Sequence, residues 1–546
     1  MEKPEKWPEG VPFTLEYPEV PLFTFLDNSA EKHPDAIAII FQDKRITYSE
    51  LKEEVDRFAT ALQKMGVIRR AKVALLLPNI PQFVISYYGA LKAGAIVVPI
   101  SPLYKEREVF HQIYDSGAKT LVVLDVLYPA VENVRGELGL ERIIVTKIKD
   151  YMPSLRGVLG SLLGKVPTYN VEMGANIHQF LDLIKGSPSS PEPVEVNPKD
   201  DLALLQFTGG TTGVPKGAML THYNLVSNAL MCNAWLKAQE REEIQINVIP
   251  LYHIYGMTVT MNNAIASAAT MVLFPKFDAN KVLSAIQKYK ATIFSGVPTL
   301  YTDLINQPDI SNYDLSSIKF CISGASQLPR EIQNKFMDLT GGVLIEGYGL
   351  TEASPVTHAN PLDPTLETVK IGSIGFAWPD TEAGIMDTKT GELLPYGDIG
   401  ELVIKGPQVM KGYWNMPEET ADVLKNGWLH TGDIARMDPE GYFFIVDRKK
   451  DLIKFRGYSV YPREIEEVLY KHPAVKIATV VGKPDDLSGE IPKAFLVLKE
   501  GTEATEEEMI EFVRGKIAPY KRIREVEFRD ELPMTMGGKV LKKNLK

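Results

Sequence analysis

Residues 202–207 read Leu-Ala-Leu-Leu-Gln-Phe, and residues 208–216 follow as Thr-Gly-Gly-Thr-Thr-Gly-Val-Pro-Lys. The first run has the apolar continuity of a buried strand, and the second breaks it with three glycines, three threonines, a proline and a lysine. Glycines let a backbone approach a ligand closely, while hydroxyls and an ammonium suit phosphate oxygens. The stretch therefore reads as a polyphosphate cradle or as a plain Gly/Thr turn, and other motifs must decide between them. It is not a Walker loop, because Pro215 and not glycine precedes Lys216.

Upstream, residues 51–62 carry apolar side chains at helical spacing, 72–77 reads as a buried strand, 82–91 as a helix and 95–100 as the next strand. Helices alternating with apolar strands imply a mostly parallel sheet covered on both faces. The Ser/Pro-rich residues 186–193 end this block. Strand-like runs at 246–249, 271–274, 292–295 and 320–323 mark a second α/β block. Beyond Gly372 come short strands with Gly and Pro turns, as at 397–404, which suggest a small barrel or sandwich. From Lys450 onward, helices such as 463–470 mix with strands such as 494–498, as in a small α+β domain.

The chain has 546 residues, and at ~100–200 residues per domain it holds roughly three or four packed units. Lys and Arg number 60 against 70 Asp and Glu, a net charge of −10, which disfavours non-specific nucleic-acid binding. Cys232 and Cys321 have no CxxC spacing and read as core thiols, as expected of a cytoplasmic protein. The opening residues carry no apolar signal core, and no uninterrupted apolar run is long enough for a spanning helix. In 152–166, Leu155, Val158, Leu159, Leu162, Leu163 and Val166 share one helical face. That stretch reads as a short helix packed on its own domain, with peripheral membrane contact as the alternative.

Five stretches occur in order: 208–216; Tyr348-Gly349-Leu350-Thr351-Glu352; Gly427-Trp428-Leu429-His430-Thr431-Gly432-Asp433; Asp447-Arg448-Lys449-Lys450-Asp451 through Gly457; and Leu532-Pro533-Met534-Thr535-Met536-Gly537-Gly538-Lys539. Together they resemble the motif set of the adenylate-forming superfamily of acyl-CoA synthetases, luciferases and peptide-synthetase adenylation domains. Residues 205–213 and 101–104 are most similar to fatty acyl-CoA ligases. The resemblance implies an α/β fold. Residues 1–449 would hold two α/β subdomains and a distorted β-barrel, and 450–546 a small mobile α+β domain.

It also implies an activity: attack of a carboxylate on the α-phosphorus of ATP, then thioester formation with coenzyme A. The acid would be a medium- to long-chain fatty acid; an aryl or branched acid, or loading of a carrier protein, are the alternatives. Thr208, Thr211, Thr212 and Lys216 would hold phosphates, helped by Gly209, Gly210 and Gly213. Glu352 would bind Mg²⁺, and Thr351 would meet the α-phosphate. The same resemblance puts adenine against Tyr348, between Gly347 and Gly349, near Gly324 and Ala325. Asp433 and Arg448 would take the ribose, and Lys539 would be the catalytic cation. Lys450 would be the hinge, with Lys454, Gly457 and Tyr458 serving the coenzyme A step. His253 and Met257 would line the acyl channel, although His253 beside an apolar run also reads as a core residue. A homodimer is a further expectation.

Overall fold

The strand predicted at 202–207 spans Leu202–Thr208 and turns back as Lys216–Thr221, with Thr208 opposite Lys216. The strands on either side of the glycine-rich stretch therefore pair as the arms of a β-hairpin. The computed structural model describes residues 3–153, 167–208, 215–326, 328–456, 458–485, 487–534 and 540–545. Gly209, Gly210, Thr211, Thr212 and Gly213, most of the amphipathic stretch 152–166, Gly457 and Lys539 lie outside the described residues.

Two parallel sheets organise the large part of the chain. In the first, the hairpin pairs through Leu202–Thr208 with Ile96–Pro99. The sheet then continues through Lys72–Leu76, Thr120–Leu124, Arg142–Thr146 and Ile177–Gln179. Every pairing is parallel except that of the hairpin itself. In the second, parallel strands run from Val343–Gly349 through Phe320–Ser323, Ile293–Gly296, Ile244–Asn247 and Thr270–Leu273 to Ile37–Phe41. Antiparallel strands flank it, Lys44–Thr47 at one edge and Val356–Ala359 with Phe376–Ala377 at the other. Thus the N-terminal strand pair belongs to the second sheet, although the helix and strand that follow it serve the first. Thr47 ends that pair and starts the helix Tyr48–Lys64: its Oγ1 accepts from Glu50 N (3.2 Å), and the Glu50 carboxylate accepts from Thr47 N (2.8 Å).

The helix Pro81–Lys92 is apolar almost all round, so it is stable only where every face is covered; residues 81–91 are all buried. It packs against Phe58 of the helix Tyr48–Lys64 at Gly89, and its Tyr88 hydroxyl donates to Asn262 Oδ1 (2.9 Å). Just before it, Asn79 joins the two α/β blocks. Its Nδ2 donates to Asn247 O (3.1 Å) and Ile249 O (2.9 Å), and its Oδ1 accepts from Leu251 N (2.8 Å).

The Gly/Pro-rich region forms a half-barrel. Glu382–Met386, Gly400–Lys405 and Trp428–Met437 run antiparallel, and Leu424–Lys425 and Phe443–Arg448 both pair with Trp428–Met437. It touches both larger sheets, through the bridges Ala218–Tyr413 and Gly375–Phe443. Beyond it, the long hairpin Val475–Asp485 and Gly489–Leu498 carries Ile453–Phe455, Tyr458–Val460 and Glu525–Phe528 alongside. With the helices Pro462–Leu469 and Glu506–Arg514 it encloses a core of its own that includes Ile465, Leu469, Leu496 and Val513. Among the described residues no helix is long and apolar enough to cross a membrane. Cys232 and Cys321 are buried and unpaired, and burial pushes both thiols up.

Candidate active site

Loops leaving the carboxyl ends of neighbouring parallel strands converge, as open α/β sheets dictate. Ser323 pairs with Glu346 across the second sheet, so Gly324 and Ala325 lie beside Gly347 and Tyr348. The chain must be glycine at Gly349, because a Cβ there would meet Pro355 O at 2.3 Å. Gly324 has a similar reason: a Cβ would lie 3.1 Å from the ring of Tyr255. Tyr255 donates to Ile322 O (2.9 Å) and so fixes the 250–256 loop beside the same strand ends.

Two side-chain lines meet this edge. In the first, the Tyr348 hydroxyl donates to Asp433 Oδ2 (2.5 Å), and Arg448 Nε lies 3.1 Å from Asp433 Oδ1. Asp433 and Arg448 face each other across Trp428–Met437 and Phe443–Arg448, so the strand register itself supplies the pair. Burial and the Asp433 carboxylate push the Tyr348 phenol well up, keeping it a donor. A cleft of about 270 Å³ is lined by Thr431, Gly432, Asp433, Arg448, Lys449 and Lys450. Burial and the Arg448 cation lower Lys450 to about 8.

In the second line, Lys216 Nζ stands 5.2 Å over the Tyr413 ring, and the Tyr413 hydroxyl donates to Glu352 Oε1 (2.6 Å). Glu352 lies on the single turn Thr351–Ala353, and its carbonyl accepts from Met410 N (2.8 Å). The structure thus brings Thr208, Lys216, Thr351, Glu352, Tyr348, Asp433 and Arg448 to one edge. Tyr413 was missed by sequence reasoning. Its signal is only an aromatic pair after Gly412 in a polar turn-rich stretch, with no periodicity to mark it.

The remaining predicted residues fall elsewhere. His253 is exposed, against the core reading of it, and its Nδ1 accepts from Tyr255 N (3.2 Å). Met257 is fully buried, in the wide π-type turn Gly256–Asn262 between the two sheets. Lys454 and Tyr458 face solvent on the small domain, with Tyr458 stacked on Tyr520 at 4.8 Å. Met534 and Val540, the described residues on either side of 535–539, form an antiparallel bridge. Among the described residues no cluster of three or more His, Cys, Asp or Glu could cage a metal. A lone carboxylate such as Glu352, half-exposed and with one oxygen already held, fits a hydrated Mg²⁺ shared with phosphates rather than an all-protein cage.

Comparison with known proteins agrees with this geometry. Residues 26–414 match the AMP-binding enzyme family and 464–539 the AMP-binding enzyme C-terminal domain. A long-chain-fatty-acid–CoA ligase of Bacillus subtilis (strain 168) is 45% identical over 543 residues, covering 99% of this chain and 96% of that protein. Among solved structures, ATP-bound MatB from Rhodopseudomonas palustris is 30% identical with a TM-score of 0.84, covering 96% of this chain and 97% of its own. Its apo form, with the same identity and coverage, has a TM-score of 0.74. The chain belongs to the AMP-binding enzyme family.

Proposed function

We propose that the protein is an ATP-dependent, AMP-forming fatty acyl-CoA ligase acting on medium- to long-chain acids. The observation that carries this reading is the convergence of two side-chain lines on one edge: Tyr348–Asp433–Arg448, shaped for a nucleoside, and Lys216–Tyr413–Glu352, shaped for its phosphates. The 45% identity to the Bacillus fatty-acid ligase supports the choice of acid.

In the first half-reaction a carboxylate oxygen bonds to the α-phosphorus of ATP while the bond from that phosphorus to the bridging oxygen breaks, giving acyl-AMP and pyrophosphate. An anion meets a polyanion, so the protein's work is charge neutralisation and alignment. Asp433 accepts from the ribose hydroxyls and Arg448 donates to the sugar. Tyr348 lies against adenine. Lys216 and Thr208, with the hairpin tip, grip the departing pyrophosphate, and Thr351 meets the α-phosphate. Mg²⁺ held by Glu352 supplies further neutralisation across the phosphates when bound. Lys539 steadies the charge that develops between carboxylate and α-phosphate. In the second half-reaction the thiol sulfur of coenzyme A bonds to the acyl carbon, the bond from that carbon to the AMP oxygen breaks, and the thiol proton leaves.

We assign 1–449 and 450–546 as separately moving domains with Lys450 as the hinge, so that Lys539 serves the first step and the 454–458 segment the second. The separate core of the small domain and the different TM-scores to the ATP-bound and apo neighbours support that division. We place the protein in the cytoplasm, on its acidic charge and buried free thiols.

The test is pyrophosphate exchange, then coenzyme A-dependent AMP release, across acids from acetate to palmitate plus a cinnamate-type acid. Palmitate and its shorter fatty relatives are expected to drive both. ATP binding without any carboxylate-dependent exchange would refute the reading.

A further inference from the structure

Tyr413 stands where three segments cross. Its backbone bridges Ala218, beside the glycine-rich hairpin; Gly412 O accepts from Met219 N (2.9 Å), and Trp414 N donates to Gly217 O (2.8 Å). Its own N–H donates to Thr420 Oγ1 (2.8 Å). The ring is thereby fixed between a cation and an anion: Lys216 Nζ lies over its face, and Glu352 Oε1 accepts from its hydroxyl. Among the described residues Lys216 forms no ion pair, and neither does Glu352. Two opposite, half-exposed charges on one rim, one of them on a flexible four-carbon stem, would otherwise close on each other.

We propose that Tyr413 is a positioning residue that keeps Lys216 and Glu352 apart, so that neither charge neutralises the other before ATP arrives. The contact over the ring is weak enough for the ammonium to exchange it for phosphate oxygens. The hydroxyl holds one carboxylate oxygen and leaves the other for the hydrated cation that accompanies ATP. The inference rests on the ATP-ligase reading above.

Binding of ATP with Mg²⁺, of ATP in chelator and of AMP is measured by calorimetry on the full chain. Tyr413→Phe keeps the ring under Lys216 and removes the donor. It is expected to shrink the gain that Mg²⁺ gives ATP affinity by about tenfold, the worth of one hydrogen bond to a charged group. AMP, which lacks the β- and γ-phosphates, is expected to bind within about twofold of wild type. Equal losses for AMP and ATP would mean a merely structural tyrosine and would overturn the proposal, as would no loss at all.

A second measurement changes the two charges rather than the hydroxyl between them. Lys216→Met and Glu352→Gln are expected to act independently on metal-free ATP binding, with coupling below about twofold. In a Tyr413→Ala background the same two changes are expected to couple by about fivefold or more. Strong coupling with Tyr413 in place overturns the proposal. A wild-type chain that binds no ATP defeats the ligase reading and the inference together, whereas a Phe variant identical to wild type defeats the inference alone.

Discussion

Removing the Asp433 carboxylate isolates the sugar-binding part of the site from the phosphate part. Asp433 is 5% exposed, and its two oxygens face Arg448 at 3.1 Å and the Tyr348 hydroxyl at 2.5 Å. In Asp433→Ala both partners are stranded, but the Arg448 side chain is 39% exposed, so water screens its charge. The ion-pair share of the loss is therefore held to ~1 kcal/mol or less. The larger share comes from two charge-assisted hydrogen bonds to ribose, ~1.5–3 kcal/mol each. Together they amount to ~3–6 kcal/mol, or ~10²–10⁴ in Kd. Asparagine keeps one carbonyl acceptor but turns a donor toward Arg448 or Tyr348. Neutral bonds are about half as strong, so Asp433→Asn is expected to lose ~1.5–3 kcal/mol. Calorimetric titration with AMP reads the sugar end, and titration with pyrophosphate, which has no sugar, is the control. AMP binding by Asp433→Ala within about threefold of wild type, or an equal loss for pyrophosphate, would refute the placement of ribose at Asp433.

Three further outcomes follow from other contacts. Burial, opposed by Arg463, raises Glu346 to about 7, and its carboxylate accepts from Leu328 N (3.2 Å). A raised carboxyl adds stability that is full below the unfolded value near 4.5 and is lost as pH rises through about 7. Glu346→Gln is accordingly expected to gain on wild type across that window, by ~3 kcal/mol at most, read from denaturant midpoints at pH 4.5 and 7.5; an equal offset at both would refute it. Asn79→Ala leaves two carbonyls and an amide without their partner at the join of the two α/β blocks, and should lower stability by ~3 kcal/mol or more by the same measurement; a change under ~1 kcal/mol would contradict it. Lys539→Ala is expected to stop adenylation yet still convert supplied acyl-AMP to thioester, while Gly457→Leu does the reverse; equal loss of both steps in both variants would rule out alternation between domain positions.

The elements that could be read from the sequence are those whose signal is local. Helix Pro81–Lys92 and strands Lys72–Leu76 and Ile96–Pro99 carry their own periodicity or apolar continuity and stand within a residue or two of expectation. Sheet membership is not local. Nothing in the composition of Ile37–Phe41 says that its partner is Thr270–Leu273 rather than the nearer Lys72–Leu76. In the site, Glu352, Asp433 and Arg448 were legible because they sit inside ordered motifs, and the strand register then explains how Asp433 reaches Arg448. Tyr413 and Asn79 were not, since each acts through contacts with segments far along the chain.

The crossing of the N-terminal strand pair into the second sheet also sets a timetable for synthesis. Ile39 pairs with Met271, and at ~5–20 residues per second the ribosome needs roughly 10–50 s to deliver that partner. During this interval the apolar residues Ala38, Ile39, Ile40 and Phe41, all buried in the finished protein, have no sheet to join. The nascent chain thus carries an open strand edge until its middle has been made. Fragments that stop short of Thr270 should therefore aggregate or bind chaperones, while fragments that extend past Leu273 can begin to cover that edge.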